Sequence, residues 1–449
     1  RTLTFAITDG ANPSNEGRGY VIRRILRRAC RFGRVLGMNE PFLAKLLPVL
    51  IDQMGEAFGE IKESRDFVAD VLTSEEKSFN RTLDRGIEIF ATAAKNAKNK
   101  TIAGDDAFQL YDTYGFPLDL TQLMAREQGL AVDTDQFNNL MSQQRERARA
   151  AQKSTSLTAN LGGVEMPATD DSLKYETDAC EAKLIGWVEE AGLKTDGTLT
   201  DTESTVALVL DTTCFYAESG GQVGDCGMIK TAGAEFSVEG TEKLADCVLH
   251  RGKLVSGTLA VGDAVEAVVD TERQATVKNH TATHILQWAL QMALGDSVKQ
   301  QGSLVCPDYL RFDFTCPKGL TKEQIAKVEE LVQSKIDECL PVTTAVMSID
   351  EAKSLGAMAL FGEKYGDEVR VIGVGAADKA GIKDAFSKEF CGGTHVSNTG
   401  QIGGFAIQKE ESISAGVRRV TALTGPGLIA YLKQRSGVVD ALVETLKTP

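Results

Sequence analysis

Only four histidines occur in 449 residues, and three of them fall into two pairs of equal spacing, His280-Thr-Ala-Thr-His284 and Cys391-Gly-Gly-Thr-His395. Residues four apart share one face of a helix, so His280 and His284 can present two imidazoles to one ion. Gly392 and Gly393 argue against a helix at the second pair and for a tight loop that turns Cys391 and His395 to a common point. Three imidazoles and one thiolate suit a tetrahedral zinc ion, one per chain. Either pair alone reads as well as helix-surface histidines and a small buried cysteine; it is the coincidence of the two that favours a metal. The set is histidine-rich and joins distant segments, which leans toward a catalytic ion and leaves a structural one open.

Polar residues near these pairs fit the wall of such a site. Thr283 lies between the helical histidines, Gln300 follows the helix at a Lys299-Gln300-Gln301-Gly302 turn, and Cys391 is both ligand and catalytic candidate. The loop Glu218-Ser219-Gly220-Gly221-Gln222 has two glycines where a ligand or a second backbone can come close. Each has a plainer role: Thr283 can cap or pack, Gln300 can satisfy its own turn, and the glycines can make a hairpin.

The other chemistry is charge. The chain is acidic, with a net charge of −14, yet residues 1–34 hold eight arginines against Asp9 and Glu16. Arg23, Arg27 and Arg31 repeat at four with Arg24 and Arg28 beside them, while Ile22, Ile25, Leu26, Ala29 and Phe32 face elsewhere. Like charges at that spacing repel, so the row is expected to meet a polyanion unless acidic residues of neighbouring helices neutralise it. Before it, Arg18 and the turn-rich run from Asn12 through Asn15 to Gly17 offer groups suited to phosphates and base edges.

With 42% hydrophobic and 25% charged residues, the chain is neither disordered nor membrane-spanning, and its first ten residues lack the apolar core of a signal peptide. Nine scattered cysteines do not read as a disulfide framework and fit a reducing compartment, so a cytoplasmic location is expected. There is no Gly-x-x-x-x-Gly-Lys-Ser/Thr phosphate loop and no Gly-x-Ser-x-Gly elbow. The chain starts at Arg1 without a methionine and stops at Pro449 just past a helical pattern, as expected of a piece of a longer protein.

Several elements must position these groups. Apolar spacing from Gly19 to about Ala151 is helical, with a helix start at Thr73-Ser74-Glu75-Glu76 and a break at Pro117, and predicts an all-α domain over 1–165. Short β-type runs at 206–210, 236–238, 248–254 and 264–269 between glycine turns predict a small β-barrel within 166–272. A helix from Glu272 to about Leu294, another at 321–339, and strands at 310–314, 342–347, 369–374, 404–407 and 418–423 predict an α+β domain over 273–425. Residues 426–449 read as a helix leading to a missing domain.

These residues resemble the alanyl-tRNA synthetase family over nearly the whole sequence. The likeness rests on Asp9-Gly10 with Pro13-Ser14-Asn15-Glu16, on Arg18-Gly19-Tyr20-Val21 running into the arginine helix, on Leu110-Tyr111-Asp112-Thr113-Tyr114-Gly115-Phe116-Pro117, on Gly220-Gly221-Gln222, on the His280/His284 pair, on Leu310-Arg311-Phe312-Asp313-Phe314, and on Phe390-Cys391-Gly392-Gly393-Thr394-His395. The second half is also similar to free-standing alanyl-tRNA editing proteins and to the editing domain of threonyl-tRNA synthetase. The resemblance implies that the helical half binds the acceptor stem of alanine tRNA and reads its G·U pair through Asn15 and Asp112. It implies that the second half hydrolyses Ser-tRNA(Ala) and Gly-tRNA(Ala), with zinc on His280, His284, Cys391 and His395, and with Thr283 and Gln300 in the pocket. It further implies that the aminoacylation domain, with its ATP and Mg2+, precedes Arg1, so that no aminoacylation is expected, and that oligomerisation runs through a missing C-terminal domain. Zinc at such a site can activate water, polarise the ester carbonyl or position the substrate amine. Two other readings stay open: an RNA-binding module with a structural zinc and no hydrolysis, and a zinc hydrolase of small esters, against which the arginine row speaks.

Overall fold

The computed structural model describes residues 1–14, 17–153, 166–295, 297–359, 365–414 and 416–446. The chain divides into two compact units, one over residues 1–155 with 316–319 and 412–418 grouped with it, the other over the remainder. Among the described residues no disulfide forms, and no helix is long and apolar enough to cross a membrane.

The first unit carries α1 (Thr2–Thr8), α2 (Gly17–Val35), α3 (Leu47–Met54), α4 (Glu60–Glu63), α5 (Arg65–Lys95), α6 (Gly104–Asp112), α7 (Leu118–Glu127) and α8 (Thr134–Lys153). It departs from an all-α domain by one short parallel pair, β1 (Thr101–Ile102) with β2 (Ala131–Val132). Leu26, Cys30, Val68, Phe79, Leu83, Phe90, Leu110 and Phe116 are central to its core. The helix start read at Thr73 is absent, because α5 runs through it. Glu75 and Glu76 are buried and serve other segments: the Glu76 carboxylate accepts the Phe42 and Leu43 amides at 3.1 Å each. Pro117 does separate two helices, standing in extended conformation at the N-cap of α7.

The arginine helix is rotated from its sequence reading. Ile25 and Phe32, expected inside, are exposed, whereas Arg23 and Arg31 are buried. Glu75 accounts for this on one turn: its Oε1 lies 3.1 Å from Arg23 Nε and 2.8 Å from Arg27 Nη2. Arg27 also donates to the Gly115 carbonyl, and Arg31 Nη1 donates to Glu127 at 2.8 Å. The row Arg23, Arg27 and Arg31 therefore faces protein, neutralised by carboxylates of α5 and α7, and is not the polyanion face expected of it. A buried guanidinium needs such a partner. Arg18 and Arg28 are exposed, and Arg24 is partly exposed beside Asp119 at 3.5 Å.

The second unit opens with a closed barrel of six antiparallel strands, β3 (Ala179–Glu189), β6 (Val206–Leu210), β7 (Gly227–Lys230), β8 (Glu235–Leu244), β9 (Cys247–Ser256) and β11 (Ala264–Val269), while β4 (Gly192–Lys194) is a hairpin extension and β5 (Thr198–Leu199) pairs with β10 (Leu259–Ala260). The order β11-β7-β8-β9-β6-β3 is closed by pairing of β11 with β3 from Ala264↔Lys183 to Val268↔Ala179. The unbroken apolar run of β6 serves two cores at once. Val206, Leu208 and Leu210 join one cluster with Phe215, Phe236 and Leu254, while Ala207 and Val209 join Val188, Cys247 and Leu249 on the other face.

Beyond the barrel come α9 (Arg273–Leu294), β12 (Gln300–Val305), β13 (Leu310–Thr315), α10 (Lys322–Asp337), β14 (Val342–Ser348), α11 (Ile349–Ser354), β15 (Glu368–Val374), β16 (Ser387–Phe390), β17 (Phe405–Ser414), β18 (Val417–Thr424) and α12 (Gly425–Leu446). They form a four-stranded sheet β12-β13-β18-β17 and a three-stranded sheet β14-β15-β16 with the helices. Gln300, read as a turn residue, instead begins β12 and pairs with Phe314. The fold is thus multidomain α/β with a closed barrel and a sheet-rich C-terminal region.

Candidate metal centre and its cleft

Helix α9 is the frame of the site. It is apolar or buried on nearly every face, so both of its histidines lie inside, 6% and 5% exposed. Arg273 anchors its first turn to the barrel side, donating to Cys214 O at 3.2 Å and to the Lys174 carbonyl, with Asp225 at 3.5 Å. Asn279 ties its middle to the four-stranded sheet, donating to Cys306 O at 2.8 Å and accepting from Thr424 Oγ1 at 2.7 Å. Strand β16 ends at Phe390, so Cys391 opens the loop that brings His395 back to α9.

The two sequence pairs converge. Their four ligand atoms all lie within 4.8 Å of one another, with Cys391 Sγ 3.5 Å from His280 Nε2 and 3.1 Å from His395 Nε2. Each Nδ1 points away from the centre onto its own partner. His280 Nδ1 donates to Gln222 Oε1 at 2.6 Å; the same oxygen accepts the Thr394 amide at 3.0 Å, which fixes which end of the Gln222 amide is oxygen. His395 Nδ1 lies 3.3 Å from Thr281 Oγ1, whose hydroxyl proton goes to Val277 O, so the threonine must accept. His284 Nδ1 lies 3.0 Å from Glu389 Oε2, an ion-pair contact too poorly aligned to be a hydrogen bond. His280 and His395 therefore turn an Nε2 lone pair inward, and His284, its Nδ1 beside Glu389, has an Nε2 that would become a lone pair once a cation displaces its proton.

Electrostatics follow from this enclosure. Burial alone would raise the Cys391 thiol, but the three imidazoles outweigh it and hold it well below its ordinary value. Burial pushes His395 down to about 3. It acts the same way on His284, but Glu389 and then Cys391 overcome it and push that ring up to about 10. His284 Nε2 is buried without a hydrogen-bond partner. An orphaned imidazole nitrogen facing a thiolate and two further nitrogen lone pairs fits a borderline-soft cation.

A cleft of about 270 Å³ opens on the cluster, lined among others by Tyr216, Gly220, His280, Thr283, His284, Gln300, Ser303 and Cys391. Thr283 and Gln300 thus both reach it. The Thr283 hydroxyl donates to His280 O at 2.6 Å, leaving its oxygen as an acceptor. Thr394 is turned away, accepting from Gln222 Nε2 at 2.9 Å. Gly220 and Gly221, with φ of 58° and 85°, make a two-residue hairpin closed by Ser219 and Gln222. A Cβ on Gly221 would stand 2.6 Å from Ser303 O, and one on Gly393 would stand 2.0 Å from His280 Cε1, so both close approaches require glycine. The glycine loop is therefore a hairpin, as its plainer reading had it, and its tip delivers Gln222 to His280.

Sequence reasoning missed Glu389 and Thr281, which support ligands without being ligands; nothing in their spacing marks them. Of the other sequence candidates, Asp112 is exposed at the end of α6 and accepts from Gln144 Nε2 at 2.9 Å, while Asn15 lies outside the described residues.

A six-stranded barrel joined to an α+β layer around a three-histidine, one-thiolate cluster defines a multidomain protein with a candidate metal centre. Comparison with known proteins narrows the class. A family model described as tRNA synthetases class II (A) matches residues 1–273, and one described as the threonyl and alanyl tRNA synthetase second additional domain matches residues 369–421. The chain belongs to the alanyl-tRNA synthetase family of class II. It is similar to an alanine–tRNA ligase from Desulforamulus reducens (strain ATCC BAA-1160 / DSM 100696 / MI-1), 43% identical over 459 residues covering 100% of this chain and 51% of the relative. It is equally similar to one from Legionella pneumophila (strain Corby), 43% identical over 449 residues with the same coverage. The chain spans about half the length of these curated relatives. The expectation that the class II aminoacylation domain, with its ATP and Mg2+, lies outside the chain is corrected by the first match, which falls on residues 1–273.

Proposed function

We propose that the second unit hydrolyses the aminoacyl ester of mischarged alanine tRNA, carrying serine or glycine, in the cleft over a zinc ion held by His280, His284, Cys391 and His395. The observation that carries this reading is the convergence of four ligand atoms within 4.8 Å at the floor of a cleft that Thr283 and Gln300 also line. When bound, zinc would supply Lewis-acid polarisation or a hold on the substrate amine. The chain's own residues set the selectivity. Thr283, its proton committed to His280 O, offers an acceptor to a donor such as the seryl hydroxyl or the ammonium group. An alanyl group has no hydroxyl and would leave part of a site built for one unpaired. Gln300, at the head of β12, is the second polar group suited to orient the ester.

Within this reading, residues 1–165 serve tRNA recognition, 166–272 are the barrel and 273–425 carry editing. Asn15 and Asp112 read the G·U pair, and exposed Arg18, Arg24 and Arg28 meet phosphates. A second reading, a structural zinc in an RNA-binding module, is favoured by the four protein ligands, which leave no open tetrahedral position.

One assay separates them. The metal-loaded chain is incubated with alanine tRNA charged with serine, glycine or alanine. Release of serine and glycine but not alanine, abolished by Cys391→Ala in protein with unchanged circular dichroism, is the expected result. Intact Ser-tRNA after incubation with folded, metal-loaded protein would reject hydrolysis and leave the structural reading.

A further inference from the structure

Three successive carbonyls of the loop that carries the thiolate are all held by two side chains outside every motif discussed above. Arg370 Nη1 donates to Cys391 O at 3.0 Å and to Gly393 O at 2.7 Å. The Tyr175 hydroxyl donates to Gly392 O at 2.6 Å. The two side chains brace each other, with the Arg370 guanidinium carbon 4.1 Å from the centre of the Tyr175 ring. From the other side the Cys391 amide donates to Arg370 O at 2.9 Å.

The residue types fit the task. Gly392 and Gly393 have no side chains to pack, and glycine loses more freedom on ordering than any other residue, so this loop needs an external restraint to stay in one shape. A Cβ at Gly393 is forbidden by the His280 ring, so that residue can contribute no side chain of its own, and the one hydroxyl the loop does offer, on Thr394, is held from the Gln222 side. Both carbonyls are reached from one guanidinium nitrogen, Nη1, while the planar group lays its face on the Tyr175 ring; an ammonium group has no such face to stack. The restraint also has two anchors. Arg370 stands on β15, the neighbour of β16, whereas Tyr175 belongs to a one-turn helix, Ser172–Tyr175, that precedes the barrel. A tyrosine hydroxyl is un-ionised at neutral pH and so is a donor here.

We propose that Arg370 and Tyr175 are positioning residues: a clamp that holds the Cys391 loop in ligand geometry, so that the thiolate meets the Nε2 atoms of His280 and His395 before any metal arrives. The inference rests on the metal-centre reading above. It goes beyond that reading by assigning metal retention to two side chains outside the ligand set, one of which, Arg370, also lines the cleft.

The test reads the metal, not only turnover. Co2+ affinity is measured by competition with a chromophoric chelator, and the thiolate-to-Co2+ charge-transfer band is recorded, for the parent chain, Tyr175→Phe and Arg370→Lys. Tyr175→Phe keeps the ring and the stack and removes only the donor; Arg370→Lys keeps the charge and removes the planar face and the Nη1 that reaches both carbonyls. Loss of a group that orients a ligand typically weakens metal binding by roughly tenfold or more, and that is expected for Arg370→Lys, with a smaller loss for Tyr175→Phe and a weakened band in both. Deacylation of Ser-tRNA should lose kcat with KM unchanged. Unaltered Co2+ affinity and band in both variants, beside a parent that binds the metal, would overturn the clamp alone. Should Arg370→Lys fail to fold, Tyr175→Phe decides, since its volume and stacking are conserved. A folded parent chain that takes up neither Co2+ nor Zn2+ would overturn the metal-centre reading itself, and the clamp with it.

Discussion

Gln222 Oε1 lies 2.6 Å from His280 Nδ1, so an amide on the barrel side sets the tautomer of a ligand on helix α9. The same oxygen holds the Thr394 amide, one residue before His395. Replacing Gln222 by Leu should weaken metal retention by roughly tenfold or more. Gln222→Glu should largely restore it, because a carboxylate oxygen still accepts from both groups and the Thr394 hydroxyl can turn to donate. Chelator competition on the three proteins checks this, and equal retention in the Leu variant would show that the tautomer is held by other means.

Elemental analysis of the parent chain, purified without chelator, should find one metal ion per chain. His284→Ala should lose the ion and deacylation together, since a supporting carboxylate such as Glu389 cannot replace a missing ligand without moving. Metal content that persists while deacylation disappears would place His284 in the chemistry and outside the coordination set.

The barrel has an acid-sensitive point. His250 is fully buried, with Thr213 Oγ1 2.7 Å from Nε2 and Leu208 O 3.2 Å from Nδ1, and burial pushes it from 6.5 down to about 4. Between these values the unfolded chain binds a proton that the folded chain refuses. Stability is therefore full above about pH 6.5 and falls as the pH drops toward 4, by on the order of 3 kcal/mol for this group. Thermal midpoints of parent and His250→Gln should both be recorded from pH 7.5 to 4.5. A steeper acid loss in the parent is expected, and parallel curves would remove His250 as the cause.

In the helical unit, Glu75→Ala removes the carboxylate that neutralises the buried Arg23 and Arg27 guanidinium groups and should cost about 3–5 kcal/mol. The charge reversals Arg24→Glu and Arg28→Glu should instead leave the melting temperature nearly unchanged and flatten the salt dependence of tRNA binding. Melting curves beside binding isotherms at several salt concentrations separate the buried row from the exposed pair. An unchanged slope would mean that Arg24 and Arg28 also face protein.

Asp112 is held by Gln144, while the turn after it is closed by backbone bonds from Gly115 to Tyr111 and from Phe116 to Leu110. The turn thus does not depend on the carboxylate. Asp112→Ala should leave stability near that of the parent and narrow the affinity gap between G·U and G·C acceptor stems, by about 1–3 kcal/mol for a good base-edge contact. A variant with an intact G·U preference would defeat that role.

What was legible in the sequence is what local periodicity encodes. A helix has 3.6 residues per turn, so His280 and His284 must share a face wherever the helix lies, and the glycines of Cys391-Gly392-Gly393-Thr394-His395 must form a loop. The β6 run, α9, β9 and β11 follow from the same short-range patterns and agree with the structure to within a few residues, whereas β8 runs well past the 236–238 read for it and β3 (Ala179–Glu189) and β7 (Gly227–Lys230) were not read from the sequence. Alternation and turn residues are local properties, and so are most helix boundaries.

The rest depended on partners far away in the chain. Whether Arg23, Arg27 and Arg31 face water or protein was settled by Glu75 and Glu127, because a guanidinium can be buried only where a carboxylate arrives to meet it, and no spacing within α2 encodes that arrival. Gln300 became a strand residue because β13 lies beside it. Gln222, Glu389, Thr281, Arg370 and Tyr175 gained their roles only when barrel, helix and sheets closed around the four ligands: the ligand types were written in the sequence, but the direction of each imidazole lone pair was set by packing, since a ring turns until its other nitrogen finds a partner.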